Sequence, residues 1–492
     1  MALLPLKIPA GVVHTGTEYD SSGRWREANL VRWRNNAMRP VGGWEVRKDT
    51  ELDKPPRAIH SWRDNTDGSQ LAIGFHDSLY HLGAGGILTD ISPSGLTAGN
   101  IDAQENRGFS GKFYGTGYYG VTRPSNGVFE ECDTWSLDNF GEYLIGCLTS
   151  DGKIYEWQLN TASDAAVLSN APTNNKAIVV TEERFVFALA SGGNPRKIAW
   201  SDREDNNTWT PSDLNEAGDI ELQTNGEIMT GIRMRGRTLI LTTTDAHVAT
   251  YQGPPYVYGF ERVGTACGAV SRKSVVAVDE GAFWMGKRSF FVFNGSSVTE
   301  IPCDVCDYIF ADINDNQASK AWATHNAEFG EIWWFFPSNS STEIDSYVSY
   351  NYKEGHWQTG KLNRTCGVFR GVFQDPIWCD ETGIVYNHET GLDHGIYTPY
   401  AETAPISIGA GDGIMKVNSL IPDAEDSGDV QVYFKTRFHP QDEERTYGAY
   451  TLDNPTSVRF SGRQIRMRVE SARPSDWRVG TMRVEATQGG RR

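Results

Sequence analysis

The sequence predicts an all-β fold, a β-propeller of six to seven blades with an N-terminal arm and a C-terminal antiparallel β-domain. Three observations carry the propeller. Strongly apolar strand-like runs recur down the chain, each followed by a polar turn and a second run ending in aromatics. They recur at about 35–45 residues, the spacing of four-stranded blades. The composition suits short strands and turns, with 51 Gly in 492 residues, 11% aromatics and few helix-like runs. One blade cannot bury both of its faces, so blades must stack side by side around an axis. A string of sandwiches or a β-helix is the alternative that the same pattern allows.

The clearest unit is residues 140–159, FGEYLIGCLTSDGKIYEWQL. An apolar run, Tyr143 to Leu148, meets a Ser-Asp-Gly turn, and a second run carries Ile154, Tyr155 and Trp157. Asp-Gly between two strand-like runs signals a hairpin, because a tight hairpin turn needs positive φ.

Taken in order, residues 1–55 read as an arm. Within it ANLVRWRNNAMRPVGGWEV gives two short strands across an Asn-Asn turn, then a Pro-Val-Gly-Gly bend. Arg24, Arg26, Arg32, Arg34 and Arg39 form a small basic island here, interrupted only by Glu27. A solvated strand face is the plain reading of such a run. Repeating units follow at 61–93, around 140–159, and at 176–211, 227–264, 269–302, 319–362 and 364–395, placing the propeller at 56–399.

Two stretches break the repeat. Between Gly99 and Cys132 (an insertion near 99–132), glycines alternate with Phe109, Phe113, Tyr114, Tyr118, Tyr119 and Phe129. Long loops inside compact domains are commonly functional or disordered. Tyr and Phe supply contact area at low entropic cost, so an interface loop is one reading. A strand pair packed on its own blade is the other. Between Asp304 and Ala323, Val305, Ile309 and Ile313 repeat at spacing four, which predicts a helical connector between blades.

After Tyr400 the pattern changes to strict alternation. Val430, Val432 and Phe434 oppose Gln431, Tyr433 and Lys435; Ile465, Met467 and Val469 oppose Arg466, Arg468 and Glu470. That is a sheet with one buried face, so 400–492 reads as a separate β-sandwich-like domain closed by a hairpin.

The net charge is −17 and the pI about 5.1. Phosphate binding over a whole surface needs a concentrated basic footprint, which this chain lacks. An acidic wall would instead repel DNA and leave it free to slide. The charge is uneven: residues 375–429 hold eleven acids and one base, and residues 459–492 hold nine Arg and three acids. Arg466 and Arg468 are therefore candidates to meet the acidic stretch, in the same chain or in a neighbour. No stretch approaches 18 uninterrupted apolar residues, so no membrane insertion is expected. The start, MALLPLKIPAG, is too short and Pro-broken for a secretory signal. Seven cysteines, an odd number, argue against a disulfide framework and for a reducing site of synthesis. The lone CxxC at Cys303 and Cys306 has no second Cys/His pair at zinc spacing.

No catalytic constellation stands out. The chain has no GxSxG, HExxH or P-loop and no GxGxxG after a strand. No catalytic, cofactor-binding or metal-binding residue is assigned, and no cofactor is expected. Asp202 to Trp209, DREDNNTW, loosely follows the Asp-box turn of sialidase propellers, but only Thr208 and Trp209 fit. Such a turn is structural even where it is complete.

Several blocks occur together in a shared order: PLKIPAGVVHTGTEYDSSGRWREANLVRWRNNAMRPVGGW, KIAWSDREDNNTWTP, FNGSSVTEIPCDVCDYIFADINDNQASKAWATHNAEFGEIWWFFP, VSYNYKEGHWQTGKLNRT and the hairpin FSGRQIRMRVESA. In this order the chain resembles the tail nozzle, or tail hub, proteins of short-tailed bacteriophages, over most of its length. The resemblance implies a structural virion protein of the tail, made in the bacterial host cytoplasm. It implies a homohexameric ring below the adaptor protein, extending the channel through which double-stranded DNA leaves without sequence recognition. Spikes or fibres would attach around the ring, and a plug or needle could close its tip. It thereby implies a part in host attachment and genome delivery without enzymatic activity. The alternative class is a propeller at the tail tip that binds or cleaves host glycan. Phe109, Phe113, Tyr114, Tyr118, Tyr119, Arg466 and Arg468 are the candidate interface residues.

Overall fold

The computed structural model describes residues 2–48, 52–83, 85–105, 129–407, 413–425, 429–452 and 455–490. Seven of its four-stranded antiparallel sheets are propeller blades. Their innermost strands are Ala58–Arg63, Trp135–Phe140, Ala177–Val180, Ile228–Met234, Val275–Val278, Trp322–Asn326 and Cys366–Val368. Each touches the next, and the seventh touches the first, so the ring is closed. The fold is thus a seven-bladed propeller with an antiparallel β-domain.

In the second blade, Tyr143–Leu148 is the second strand and Ile154–Trp157 the third. The turn between them is longer than a two-residue hairpin loop. Gly152 alone adopts the left-handed conformation (φ +67°), and its N–H donates to the Leu148 carbonyl at 2.8 Å. The Asp151 carboxylate accepts the Tyr155 hydroxyl at 2.5 Å and Lys153 Nζ at 3.2 Å, which ties the turn to the strand that follows it.

Residues 1–55 do not form a separate arm. The strand Trp44–Lys48 is the outermost strand of the seventh blade, paired with Val385–His388. Ala2–Leu6 pairs with Met482–Gln488, and Trp25–Asn29 with Tyr400–Thr403. The hairpin of Val31–Arg34 and Ala37–Pro40 turns on Asn35 and Asn36, both at positive φ, as a tight hairpin demands. Unpaired strand edges are a liability, and Trp25, Ala28, Val31, Trp33 and Met38 need burial. All five are buried against the rest of the chain.

The C-terminal domain therefore draws on both ends of the sequence. One sheet joins Ala2–Leu6, Met482–Gln488, Met415–Ile421 and Thr456–Gly462. The other runs from Trp25–Asn29 through Tyr400–Thr403, Gln464–Ser471 and Val430–Arg437 to Arg445–Thr451. Val430, Val432 and Phe434 face inward with Met467 and Val469, as their alternation requires. Phe434 of one sheet meets Phe460 of the other at 4.7 Å between ring centroids. This core is continuous with Phe290, Trp334 and Trp357 of blades 5 and 6.

A helix, Cys306–Asp312, and a 3-10 turn, Asp315–Lys320, connect those two blades, with Val305, Ile309 and Ile313 buried. Cys303 and Cys306 are disulfide-bonded at the start of the helix, where the cysteine count had argued for a reducing site of synthesis and against a disulfide framework. The other five cysteines are free and buried.

Candidate functional site

The inner strands of all seven blades wall a cavity of about 680 Å³ around the propeller axis. Its wall is mostly aliphatic, with Ile59, Leu137, Val179, Ile232, Val276 and Val368 among the lining residues. Polar groups interrupt it at His60, Asp138, Asn139, Arg233, Lys273 and Thr324. His60 Nε2 lies 3.3 Å from Asn139 Oδ1. Burial pushes the His60 imidazole below its ordinary value, opposed by the Asp138 carboxylate. Burial also pushes the Lys273 ammonium down to about 8. Asp138 is held by backbone donors: Oδ2 accepts the Val180 N–H at 2.8 Å and Oδ1 the Asn139 N–H at 2.9 Å.

One end of this channel is capped. The described base of the insertion pairs Gln104–Glu105 with Phe129–Glu130. It leaves the ring between blades 1 and 2 and reaches the connector between blades 5 and 6, half-way round. Ala103 exchanges two hydrogen bonds with the Gln317 side chain, at 3.0 and 2.9 Å, and the Cys132 N–H donates to Ser319 Oγ at 3.3 Å. A crossing chain between opposite sides of a ring passes over its axis. Cations pin it there. Arg57 donates to the Ile101 carbonyl and to Glu343, each at 2.8 Å; Lys320 donates to Asp102 at 2.5 Å; Arg272 pairs with Glu131 at 3.3 Å. The opposite end opens into a cavity of about 800 Å³, where Arg233, Arg235 and Lys353 share the rim with Glu182, Asp279 and Glu280.

Of the residues singled out in sequence, Phe109, Phe113, Tyr114, Tyr118 and Tyr119 lie outside the described residues. Arg466 and Arg468 lie on the Gln464–Ser471 strand and converge on one buried carboxylate, Glu402. Arg466 is 2.8 Å from it and Arg468 3.6 Å, and Lys435 Nζ donates to it at 2.7 Å. Arg466 also pairs with Glu27 and Glu444, at 3.3 and 3.4 Å. Arg468 pairs with Glu470 at 2.7 Å and stacks over the Tyr400 ring at 3.7 Å. The acidic and Arg-rich stretches thus meet within one chain, here and at Arg478 and Glu425, 3.4 Å apart. The pairing follows from register, since Glu402 sits opposite Arg468 across the strands.

The DREDNNTW stretch is a structural turn. Thr208 Oγ1 donates to Asp205 at 2.7 Å, the Trp209 indole N–H donates to the Asn206 carbonyl at 2.7 Å, and Trp209 packs between blades 2 and 3. Among the described residues no group of three or more His, Cys, Asp or Glu is placed to hold a metal ion. No described helix is long and apolar enough to cross a membrane.

Sequence reasoning missed the channel groups and a buried ion cluster at the domain joint. In that cluster Arg32 donates to Glu331 at 3.1 and 3.0 Å and to Glu389 at 3.0 and 2.5 Å, under the Phe329 ring at 3.6 Å. The only trace of the channel groups was polar residues at inner-strand positions where other blades carry aliphatics. Arg32 looked like one more arginine of a basic island.

No family model and no curated protein matches the chain. Solved propeller structures do. Virginiamycin B lyase from Staphylococcus aureus is 9% identical over 70% of this chain and 99% of that one, with a TM-score of 0.44. PorZ, a surface component of the type-IX secretion system of Porphyromonas gingivalis, is 7% identical over 85% of this chain and 46% of that one, with a TM-score of 0.38. The Pan2 WD40 domain of Neurospora crassa is 9% identical over 72% and 96%, with a TM-score of 0.39.

Proposed function

We propose that this chain is a non-enzymatic structural subunit of a virion tail, forming the nozzle or hub ring of a short-tailed phage. The observation that carries the reading is where the resembling blocks fall. The block at 5–44 supplies strands to the C-terminal domain and, at its end, enters the outer strand of blade 7. The block at 293–337 holds the connector between blades 5 and 6. The last hairpin contains Gln464–Ser471, a central strand of its sheet. These three blocks lie where parts of the molecule join and do not centre on the channel side chains, while the blocks at 197–211 and 348–365 belong to blades 3 and 6. A ring subunit that transmits force during ejection needs stiff joints more than a reactive cavity. In this reading the adaptor lies above the ring, spikes or fibres beside it, and DNA passes through its lumen.

Particle images of the purified protein test the proposal. Six-fold rings are the expected result, and a monomer at every concentration up to the solubility limit would sink it. A panel of glycoside substrates tests the competing class, and turnover of any of them would overturn the non-enzymatic reading.

A further inference from the structure

The cations around the channel fall into two groups. At the capped end each has partners: Arg57 with Glu343, Lys320 with Asp102, Arg272 with Glu131. Deeper in the channel and at its open mouth, the side chains of Lys273 and Arg233 make no hydrogen bond or ion pair with any described residue, although both line the cavity. The nearby Asp138 is occupied by backbone N–H groups. The Asp138 carboxylate attracts Lys273 from within the same cavity without pairing directly with it. An enclosed ammonium with no carboxylate in ion-pair contact is unfavourable, and an anion that enters relieves it. The aliphatic lining leaves room for a compact body behind the charged group.

We infer that the propeller channel is a dead-end binding site for a small organic anion, a sugar-sized carboxylate or phosphate. Lys273 and Arg233 hold its charged group, and the aliphatic wall covers its body. The anion enters by the open mouth, since the insertion base crosses the other end. Lys273 is mostly protonated at neutral pH even with its pKa pushed down to about 8. A bound anion restores that pKa upward, which gives a second readout.

The test is calorimetric titration of the full chain with inorganic phosphate, glucose 6-phosphate and glucuronate. It is paired with the acylation rate of Lys273 at pH 8, read by peptide mass spectrometry. The expected result is saturable binding of an organic anion, weakened at least tenfold by K273Q, less by R233Q, and largely retained by K273R. The bound ligand should slow Lys273 acylation several-fold. K273Q removes an unpaired charge, so its thermal midpoint should not fall. Binding of glucose 6-phosphate alone assigns a phosphate site, and of glucuronate alone a carboxylate site. No binding of either at millimolar concentration, or binding indifferent to K273Q, would overturn the inference.

Discussion

The propeller and the C-terminal domain are both antiparallel β, yet they are built in opposite ways. Blades 1 to 6 are each made from one continuous stretch of chain, and their cores are aliphatic and aromatic. The C-terminal domain and blade 7 are made from both ends of the chain, and charged groups are buried where those ends meet. Arg32 lies between Glu331 and Glu389, and Glu402 sits under Lys435, Arg466 and Arg468. Local contacts need only shape and apolarity to form. Contacts between segments hundreds of residues apart must also exclude wrong partners, and directional charge pairs do that better than grease.

Breaking the joint should have the largest effect. Arg32→Ala leaves two buried carboxylates without their cation and should cost about 3–5 kcal/mol in urea unfolding. Burial already raises the Glu331 pKa, so lowering the pH should narrow the deficit by neutralising that carboxyl. A deficit constant from pH 7 to 5 would contradict this account of the joint. Within a blade, Leu144→Ala removes a side chain that is 1% exposed and should cost about 3 kcal/mol, with no pH dependence. Glu402→Gln should cost less, about 1–2 kcal/mol, because its three partners are partly exposed and can turn to water. Its loss should grow at low salt; a variant as stable as the parent would remove the network from the account.

The N-terminal strap sharpens the comparison through pH. The His14 ring stacks on Tyr308 at 3.9 Å, and the His14 backbone N–H donates to the Asp304 carbonyl at 2.8 Å. Burial, aided by Arg26, pushes its imidazole down to about 4. The unfolded chain takes up the proton first, so this stability is fully present above pH 6.5 and is lost as the pH falls towards 4. Allowing for partial exposure, about 2 kcal/mol should go over that window, and His14→Phe should flatten the dependence of the thermal midpoint. The most local effect belongs to a blade turn. Gly152→Ala forces a Cβ into a left-handed residue with Asn174 Cα only 2.8 Å away, and should cost about 1–2 kcal/mol without altering the ring.

The same contrast explains what could be read from the sequence. A blade declares itself locally, because a strand, turn and aromatic strand lie within twenty or thirty residues. Val305, Ile309 and Ile313 likewise announced the connector helix by their spacing. The partner of Trp25–Asn29 is nearly four hundred residues away, and no periodicity within Trp25–Asn29 names Tyr400–Thr403. The arm therefore looked detached. Arg466 and Arg468 were legible as a charged strand face, but Glu402 could not be matched to them without the register. Lys273 carried no signal, since its surroundings come from seven separate strands.

The strand Trp44–Lys48 is among the first parts of the chain to be made, and the residues it pairs with, Val385–His388, are among the later ones. Ala2–Leu6 must wait longer still, for Met482–Gln488. During synthesis the leading segment stays without these partners until residues 385–388 and 482–488 have been made. A prematurely terminated chain would keep raw edges on blade 7 and on the C-terminal sheets. The early strands and the late strands thus complete one another's sheets, and neither set is finished until both have been made.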